Sequence, residues 1–315
     1  MNAKTDVLVI GGGVAGLSAA VSLARARRGV TVVDAGEPRN VTSDAVHGLL
    51  GLEGINPKEL LARGRADVSS YGGELISDRV VAVHRVAGGF LVGLAEGPEI
   101  RARILVIATG VVDTLPNVPG LAARWGRDVV HCPNCHGWEI RDRRVGVLAS
   151  GPESVMQALL FRTLTSNLHL FAGSVDLSEG EMGALEQRGI PVARSAVAAL
   201  QIVEDRMVGV RLDDGSDVAL DALVVSPRSR PRLDGLDGLG LTATDASPPR
   251  VFVGDGSGRT PAADVWAVGN VVNPALQVSE AAGHGTRVAM LINAELVLGE
   301  GETLSHSRQP LSDTP

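Results

Sequence analysis

A chain of 315 residues can bury a sizeable core and has room for two domains, and its formal net charge of −7 offers no basic surface for nucleic acid. Glycine occupies 39 positions while aromatic residues make up only 3% of the chain, a balance suited to the tight turns and close backbone approaches of a nucleotide-binding α/β protein. Two cysteines in so long a chain exclude a secreted disulfide scaffold, and a cytoplasmic globular enzyme is expected.

The chain opens with Val7-Leu8-Val9-Ile10, a continuous apolar run of the kind that a buried parallel strand needs. Gly11, Gly13 and Gly16 then spell G-x-G-x-x-G, and Leu17, Ala20, Val21 and Ala24 recur at helical spacing. Val30 to Val33 reads as a second strand, ending at Asp34. This is a dinucleotide-binding βαβ unit. Its first glycine makes the turn, its second lets the backbone approach a pyrophosphate, and its third lets helix pack on strand. The helix N-terminus supplies amides to that anion, and Asp34 stands where an acid would accept from a ribose hydroxyl. The motif by itself leaves FAD and NAD open. The uncharged stretch from Val7 to Ala24 has the length of a membrane span, but Gly11-Gly12-Gly13 breaks it and no membrane association is expected.

Ile104-Leu105-Val106-Ile107 is a further buried strand, running into Ala108-Thr109-Gly110. Both cysteines then fall in His131-Cys132-Pro133-Asn134-Cys135-His136-Gly137-Trp138-Glu139. A structural zinc site takes four ligands, commonly from two separated pairs, and no second cysteine pair exists here. Two buried cysteines serving as small hydrophobes are the plainer alternative. The flanking histidines favour a redox-active dithiol, because a nearby imidazolium raises the thiolate fraction near neutral pH. His131 reads as an exposed residue ahead of the motif, while Trp138 and Glu139 are assigned no catalytic step. Ala222-Leu223-Val224-Val225 is one more strand. Near the C-terminus Asp264-Val265-Trp266-Ala267-Val268-Gly269-Asn270 precedes Gln277-Val278 and a helix-like stretch from Ser279 to Leu296. The tail from Gly299 to Pro315 is polar and reads as irregular, either disordered or docked on a partner subunit.

This order of segments resembles the low-molecular-weight thioredoxin reductases. The resemblance implies an α/β fold with two dinucleotide-binding, Rossmann-like domains, a homodimer, and FAD as cofactor. Residues 1–112 and 246–315 would form the FAD-binding domain, and 113–245 an inserted domain carrying the dithiol. FAD would be held by Gly11, Gly13, Gly16 and Asp34, by Thr109 and Gly110, and by Gly269, Asn270, Gln277 and Val278. Asn270 departs from the family's aspartate, keeping a hydrogen-bonding side chain without the charge.

The family's second nucleotide unit, for NADPH, would fall at Val145-Gly146-Val147-Leu148-Ala149-Ser150-Gly151-Pro152-Glu153-Ser154, with a helix over Val155 to Thr165. Here Ala149 replaces the first glycine, Pro152 enters the turn and Glu153 adds negative charge. His169 to Asp176 holds no arginine or lysine for a 2′-phosphate. A dithiol flavoprotein without a nicotinamide site resembles the FAD-dependent dithiol oxidases that close the disulfides of gliotoxin, holomycin and related products. Cys135-His136-Gly137 matches their motif, and Val41 to Asn56, with His47-Gly48 and Leu52-Glu53-Gly54, adds a diffuse likeness. The resemblance implies a small-molecule dithiol substrate and dioxygen as electron acceptor. Cys132 would exchange with substrate, Cys135 would reduce the flavin, and His136 would serve as acid and base. The rival expectations are a disulfide reductase fed by NADPH or ferredoxin and a flavin-bound thiol sensor.

Overall fold

The computed structural model describes residues 3–151, 153–244, 249 and 257–307. The chain forms two compact units, one made of Met1–Pro38, Lys58–Val112 and Arg230–Pro315, the other of Arg39–Pro57 and Asp113–Ser229. The division differs from the expected one at two places. The chain returns to the first unit at Arg230 rather than near 246, because Leu233, Leu236, Leu239 and Leu241 pack into one core with Val80, Val83 and Phe90. Residues 39–57 group with the second unit: Arg39 pairs with Asp113 at 2.7 Å, and Gly126 lies so close to Thr42 that a Cβ there would come within 2.6 Å of its hydroxyl.

In the first unit the strand Ala3–Ile10 sits at the centre of a sheet, parallel to Val30–Asp34 on one side and Ile100–Ile107 on the other. Val7, Leu8 and Val9 are fully buried, which explains why this strand is apolar on both faces rather than alternating. Glu74–Ser77 extends the parallel pairing beyond Val30–Asp34. The outer edge of Ile100–Ile107 is shared. Its first half pairs antiparallel with Gly89–Leu94, itself paired with Val80–Val86, and its second half pairs parallel with Val265–Ala267. The helix Val14–Arg25 packs on this sheet together with the helix Val278–Ser307, in a core that joins Ala15, Ala19 and Leu23 to Val288, Ala289 and Ile292. A Cβ on Gly285 would lie 2.1 Å from the Ala15 carbonyl oxygen, so the two helices approach to backbone distance at that point. The last helix runs on to Ser307, so the tail expected to be irregular from Gly299 begins as helix. Residues 308–315, Pro152 and most of 245–256 lie outside the described residues.

The second unit holds a five-stranded parallel sheet in the order Val192–Ala193, Leu168–Phe171, Val145–Leu148, Ala222–Val225, Val129–Val130. A three-stranded antiparallel sheet, Val197–Val203, Arg206–Leu212 and Asp217–Ala219, joins the core on one face of it. On the other face, Glu153–Arg162 and Glu179–Gln187 pack through Val155, Ala158, Phe161 and Leu185. Among the described residues no helix is long and apolar enough to cross a membrane.

Phe161 is wholly buried in that layer. Phe161→Ala should lower stability by about 3–5 kcal/mol, since the cavity adds to the lost transfer energy. Urea unfolding checks this, and a change within 1 kcal/mol, approximately the noise between surface variants, would show that the layer is not packed as described.

Candidate active site

The turn after Ala3–Ile10 is shaped by what a side chain would strike. Gly11 has φ +109°, and a Cβ on it would fall 2.4 Å from the Ala108 carbonyl oxygen. A Cβ on Gly16 would fall 2.0 Å from the Gly11 carbonyl oxygen, so the helix Val14–Arg25 seats directly on the turn. At Gly13, the residue before that helix, a Cβ would meet nothing within 4 Å. The turn is therefore closed from beneath and open at the helix N-terminus, which is the shape a pyrophosphate needs. Asp34 locks it: one carboxylate oxygen accepts from the Gly12 amide at 3.0 Å, the other from Arg65 at 3.0 Å.

Thr109 and Gly110, and Gly269 and Asn270, stand at the same carboxyl ends of the parallel strands. The Thr109 hydroxyl donates to the Arg232 carbonyl at 2.7 Å, and Gly110, at φ +69°, accepts from the Arg232 amide. Gly269, at φ +75°, abuts Ala15, where a Cβ would lie 2.6 Å from the alanine methyl. Its amide donates to Nδ1 of His284 at 3.2 Å. Burial, then the nearby Arg287, holds His284 below the ordinary imidazole range, so the ring is kept in the neutral form that can accept. The Asn270 amide donates to the carbonyls of Asn273, Pro274 and Leu276, binding up the loop that delivers Gln277 and Val278 to the start of the last helix. Glu280 completes that start by accepting from the Gln277 amide at 2.8 Å. Arg65 and His284 carry no motif and were not foreseen; each acts on a residue far away in sequence.

In the second unit Cys132 is the N-cap of the short helix Pro133–His136, with proline at its first position. The Cys132 carbonyl accepts from the amides of Cys135 and His136, which folds the two cysteines, both half-buried, into one turn. Gly137 is required by contact: a Cβ there would lie 2.3 Å from both the Pro133 carbonyl oxygen and the Leu164 side chain. His131 is exposed, with Nδ1 donating to the Val225 carbonyl at 3.0 Å, and Gln157 donates to the His131 carbonyl at 2.7 Å. Both nitrogens of the His136 ring are buried without a hydrogen-bond partner. Burial holds His136 below the ordinary imidazole range; the Glu139 carboxylate pulls the other way, and His47 and His131 add to the lowering. A neutral, unpartnered imidazole one residue from Cys135 can accept a thiol proton. Trp138 is exposed and stacks with the Arg141 guanidinium at 4.0 Å. Among the described residues no group of His, Cys, Asp or Glu could hold a metal ion.

The turn after Val145–Leu148 is occupied by its own neighbours. The buried Ser154 hydroxyl accepts from the amides of Ser150 and Gly151 at 3.0 and 3.4 Å. The Glu153 carboxylate folds over the same turn, 2.6 Å from where a Cβ on Gly151 would stand. Pro152 lies outside the described residues.

The pyridine nucleotide-disulphide oxidoreductase family matches residues 5–286, and the chain belongs to that family. A crystal structure of HlmI is 40% identical, with a TM-score of 0.91 over 96% of each chain. The thioredoxin reductase tcpT of Claviceps purpurea is 32% identical across 75% of this chain and 77% of its own length. The thioredoxin reductase aclD of Aspergillus oryzae is 32% identical across 78% and 83%. The protein is thus a thioredoxin reductase-like oxidoreductase, its cofactor is FAD, and the Gly11–Gly16 cradle fits that group.

FAD should copurify with the chain. Gly16→Ala should give protein without flavin, because the methyl collides with backbone that cannot yield. Gly13→Ala should keep its urea midpoint yet bind less FAD, since its methyl meets no protein atom and enters only the cofactor's space. The flavin-to-protein ratio and the midpoint decide; full flavin loading in Gly16→Ala would contradict this geometry.

Proposed function

We propose that this protein is an FAD-dependent dithiol oxidase that closes an intramolecular disulfide in a small-molecule dithiol, with dioxygen as acceptor and hydrogen peroxide as product. The observation that carries this reading is the pairing of an open FAD cradle and a Cys132/Cys135 turn with a second nucleotide turn already filled by Ser154 and Glu153. Amides bonded to an internal hydroxyl beside a carboxylate make a poor phosphate site. The substrate in turn supplies the electrons that a nicotinamide would otherwise bring.

One substrate thiolate attacks a sulfur of the Cys132–Cys135 disulfide; the S–S bond breaks and a mixed disulfide forms. The substrate's second thiolate attacks the mixed disulfide, the substrate leaves as a cyclic disulfide, and both enzyme sulfurs are left reduced by two electrons. FAD, held at the Gly11–Gly16 turn, would supply the acceptor for that electron pair and the route from it to dioxygen. Cys132 is assigned to exchange with substrate and Cys135 to the internal step. His136 accepts the thiol proton; its buried, neutral ring is suited to that role and disfavours holding the proton for long. A cytoplasmic homodimer completes the proposal, and the apolar Met290, Val297 and Leu298, exposed on the last helix, suit burial against a second copy. The names of tcpT and aclD favour the reductase direction, which makes the electron donor the deciding measurement.

Under anaerobic conditions NADPH should bleach the flavin slowly or not at all, whereas a small dithiol should drive oxygen uptake. Cys132→Ser and Cys135→Ser should each abolish that uptake with FAD retained. Rapid bleaching by NADPH would establish the reductase instead.

His136→Ala should slow turnover by roughly two to four orders of magnitude, the span of a lost general base. In the intact enzyme the rate should begin to fall only below the usual imidazole range, about pH 6.5, because burial delays protonation of the base. The deficit of the variant should shrink above about pH 8.5, where thiols ionise unaided. An equal deficit at every pH would assign His136 to holding the dithiol turn and not to proton transfer.

A further inference from the structure

Residues 39–57 belong to the dithiol-bearing unit, and within them lies a small, well-tied loop. Val46 and Ile55, both buried, pair antiparallel at its base. The Val46 amide donates to the Ile55 carbonyl at 2.8 Å and the Gly54 amide to the Val46 carbonyl at 2.9 Å. Gly48, Gly51 and Gly54 stand at φ +71°, +82° and +77°, left-handed conformations that let so short a segment close on itself. Asn56 ties the ends by donating to the Asp44 carbonyl.

This loop presents one ionisable ring. His47 Nδ1 lies 2.6 Å from Glu53 Oε1, and the second Glu53 oxygen accepts from the Gly48 amide at 2.9 Å. Those two bonds, the His47 one first, hold the Glu53 carboxyl below its ordinary value, so it is a carboxylate at neutral pH and His47 Nδ1 donates to it. The opposite nitrogen, Nε2, then faces Glu139, 3.6 Å from its Oε1. Glu139 follows His136 by three residues. The ionisable groups that face His136 are therefore Glu139, His47 from the loop and His131 ahead of the motif, beside the two thiols.

We propose that His47, seated by Glu53, is a positioning residue of the dithiol reaction, holding Glu139 and through it tuning how readily His136 takes a proton. His47, seated between Glu53 and Glu139, opposes a proton on His136 as burial does, so His136 stays a base as the medium becomes more acidic. The interaction is partly solvated, and its effect is one of fractions of a pH unit to about one unit. This rests on the reading of His136 as the base.

The test is the titration of the His136 ring, followed by NMR in the oxidised holoprotein. It is paired with the pH profile of disulfide reduction by dithiothreitol without oxygen, scored by counting thiols after an acid quench. Glu139→Gln should move the His136 titration to lower pH, because the attracting charge is gone. His47→Gln should move it to higher pH, slowing reduction in the acid limb by about three- to tenfold for a shift of half to one unit. Glu53→Gln, which does not face His136, should move it in the same direction as His47→Gln, because Glu53 is what seats the His47 ring beside Glu139. A His136 titration unmoved by both His47→Gln and Glu53→Gln, or moved the same way as by Glu139→Gln, would overturn the proposal. If the opposed shifts appear but no dithiol drives oxygen uptake, the oxidase reading fails while the role of His47 stands.

Discussion

A backbone amide that already donates to a side chain of its own protein has little left for a ligand, and the two nucleotide turns of this chain differ on that point. In the first, Gly11 and Gly16 press backbone against backbone below the turn while the space at Gly13 is open. In the second, the amides of Ser150 and Gly151 go to the buried Ser154 hydroxyl, with the Glu153 carboxylate beside them. Strand and helix are otherwise alike: Val145–Leu148 leads into Glu153–Arg162 much as Ala3–Ile10 leads into Val14–Arg25. A hydroxyl-filled turn holds its helix without a bound phosphate. On the proposed reading, the fold of the second unit persists while its nucleotide chemistry is lost.

The dithiol segment carries the opposite bargain. A buried polar group left without a partner is destabilising by about 1–3 kcal/mol, and His136 leaves both ring nitrogens in that condition. Beside it, Gly137 lacks a side chain, which lets the turn lie against Leu164. On the proposed reading, the cost of the unpartnered ring is expected, because the ring must receive a proton rather than hold one. The charges nearby are arranged to match. Glu139 favours the protonated ring, burial and two neighbouring histidines disfavour it, and the balance leaves His136 neutral and accepting.

What could be read in the sequence was what local chemistry requires. The glycines of the first turn are legible because Gly11 and Gly16 satisfy contacts within a few residues or against the adjacent strand while Gly13 leaves the helix start open, and the Cys132–Cys135 turn is legible because its spacing is its geometry. Contacts between distant segments were not. Arg65 reaches Asp34 across 31 residues, His284 reaches the Gly269 amide across 15, and His47 meets Glu139 across more than ninety; no periodicity or motif marks such pairings. The grouping of residues 39–57 with the dithiol was hidden for the same reason, since it depends on Arg39, Thr42 and His47 each meeting a partner far along the chain. The polar tail misled for another reason. A helix already anchored by Val288, Ile292 and Leu296 lengthens one residue at a time at little cost, so its last turns follow the packed part and not their own composition.

Asn270 shows how a departure from a family pattern can be local chemistry. Its amide donates to three carbonyls, those of Asn273, Pro274 and Leu276, which crowd together as the chain turns into the last helix. An ionised aspartate has only acceptors and would face those three oxygens with a negative charge. The loop from Asn273 to Leu276 in its present form therefore demands a donor, and asparagine is the nearest residue in shape that supplies one. The side-chain oxygen of Asn270 keeps its capacity to accept, so the substitution changes how the loop is held without removing a hydrogen-bonding group from beside Gly269. The segment that carries Gln277 and Val278 to the start of the last helix is held by that amide, by the Ala275 amide donating to the Asn273 side chain, and by Glu280, and the placement of both residues follows from these bonds.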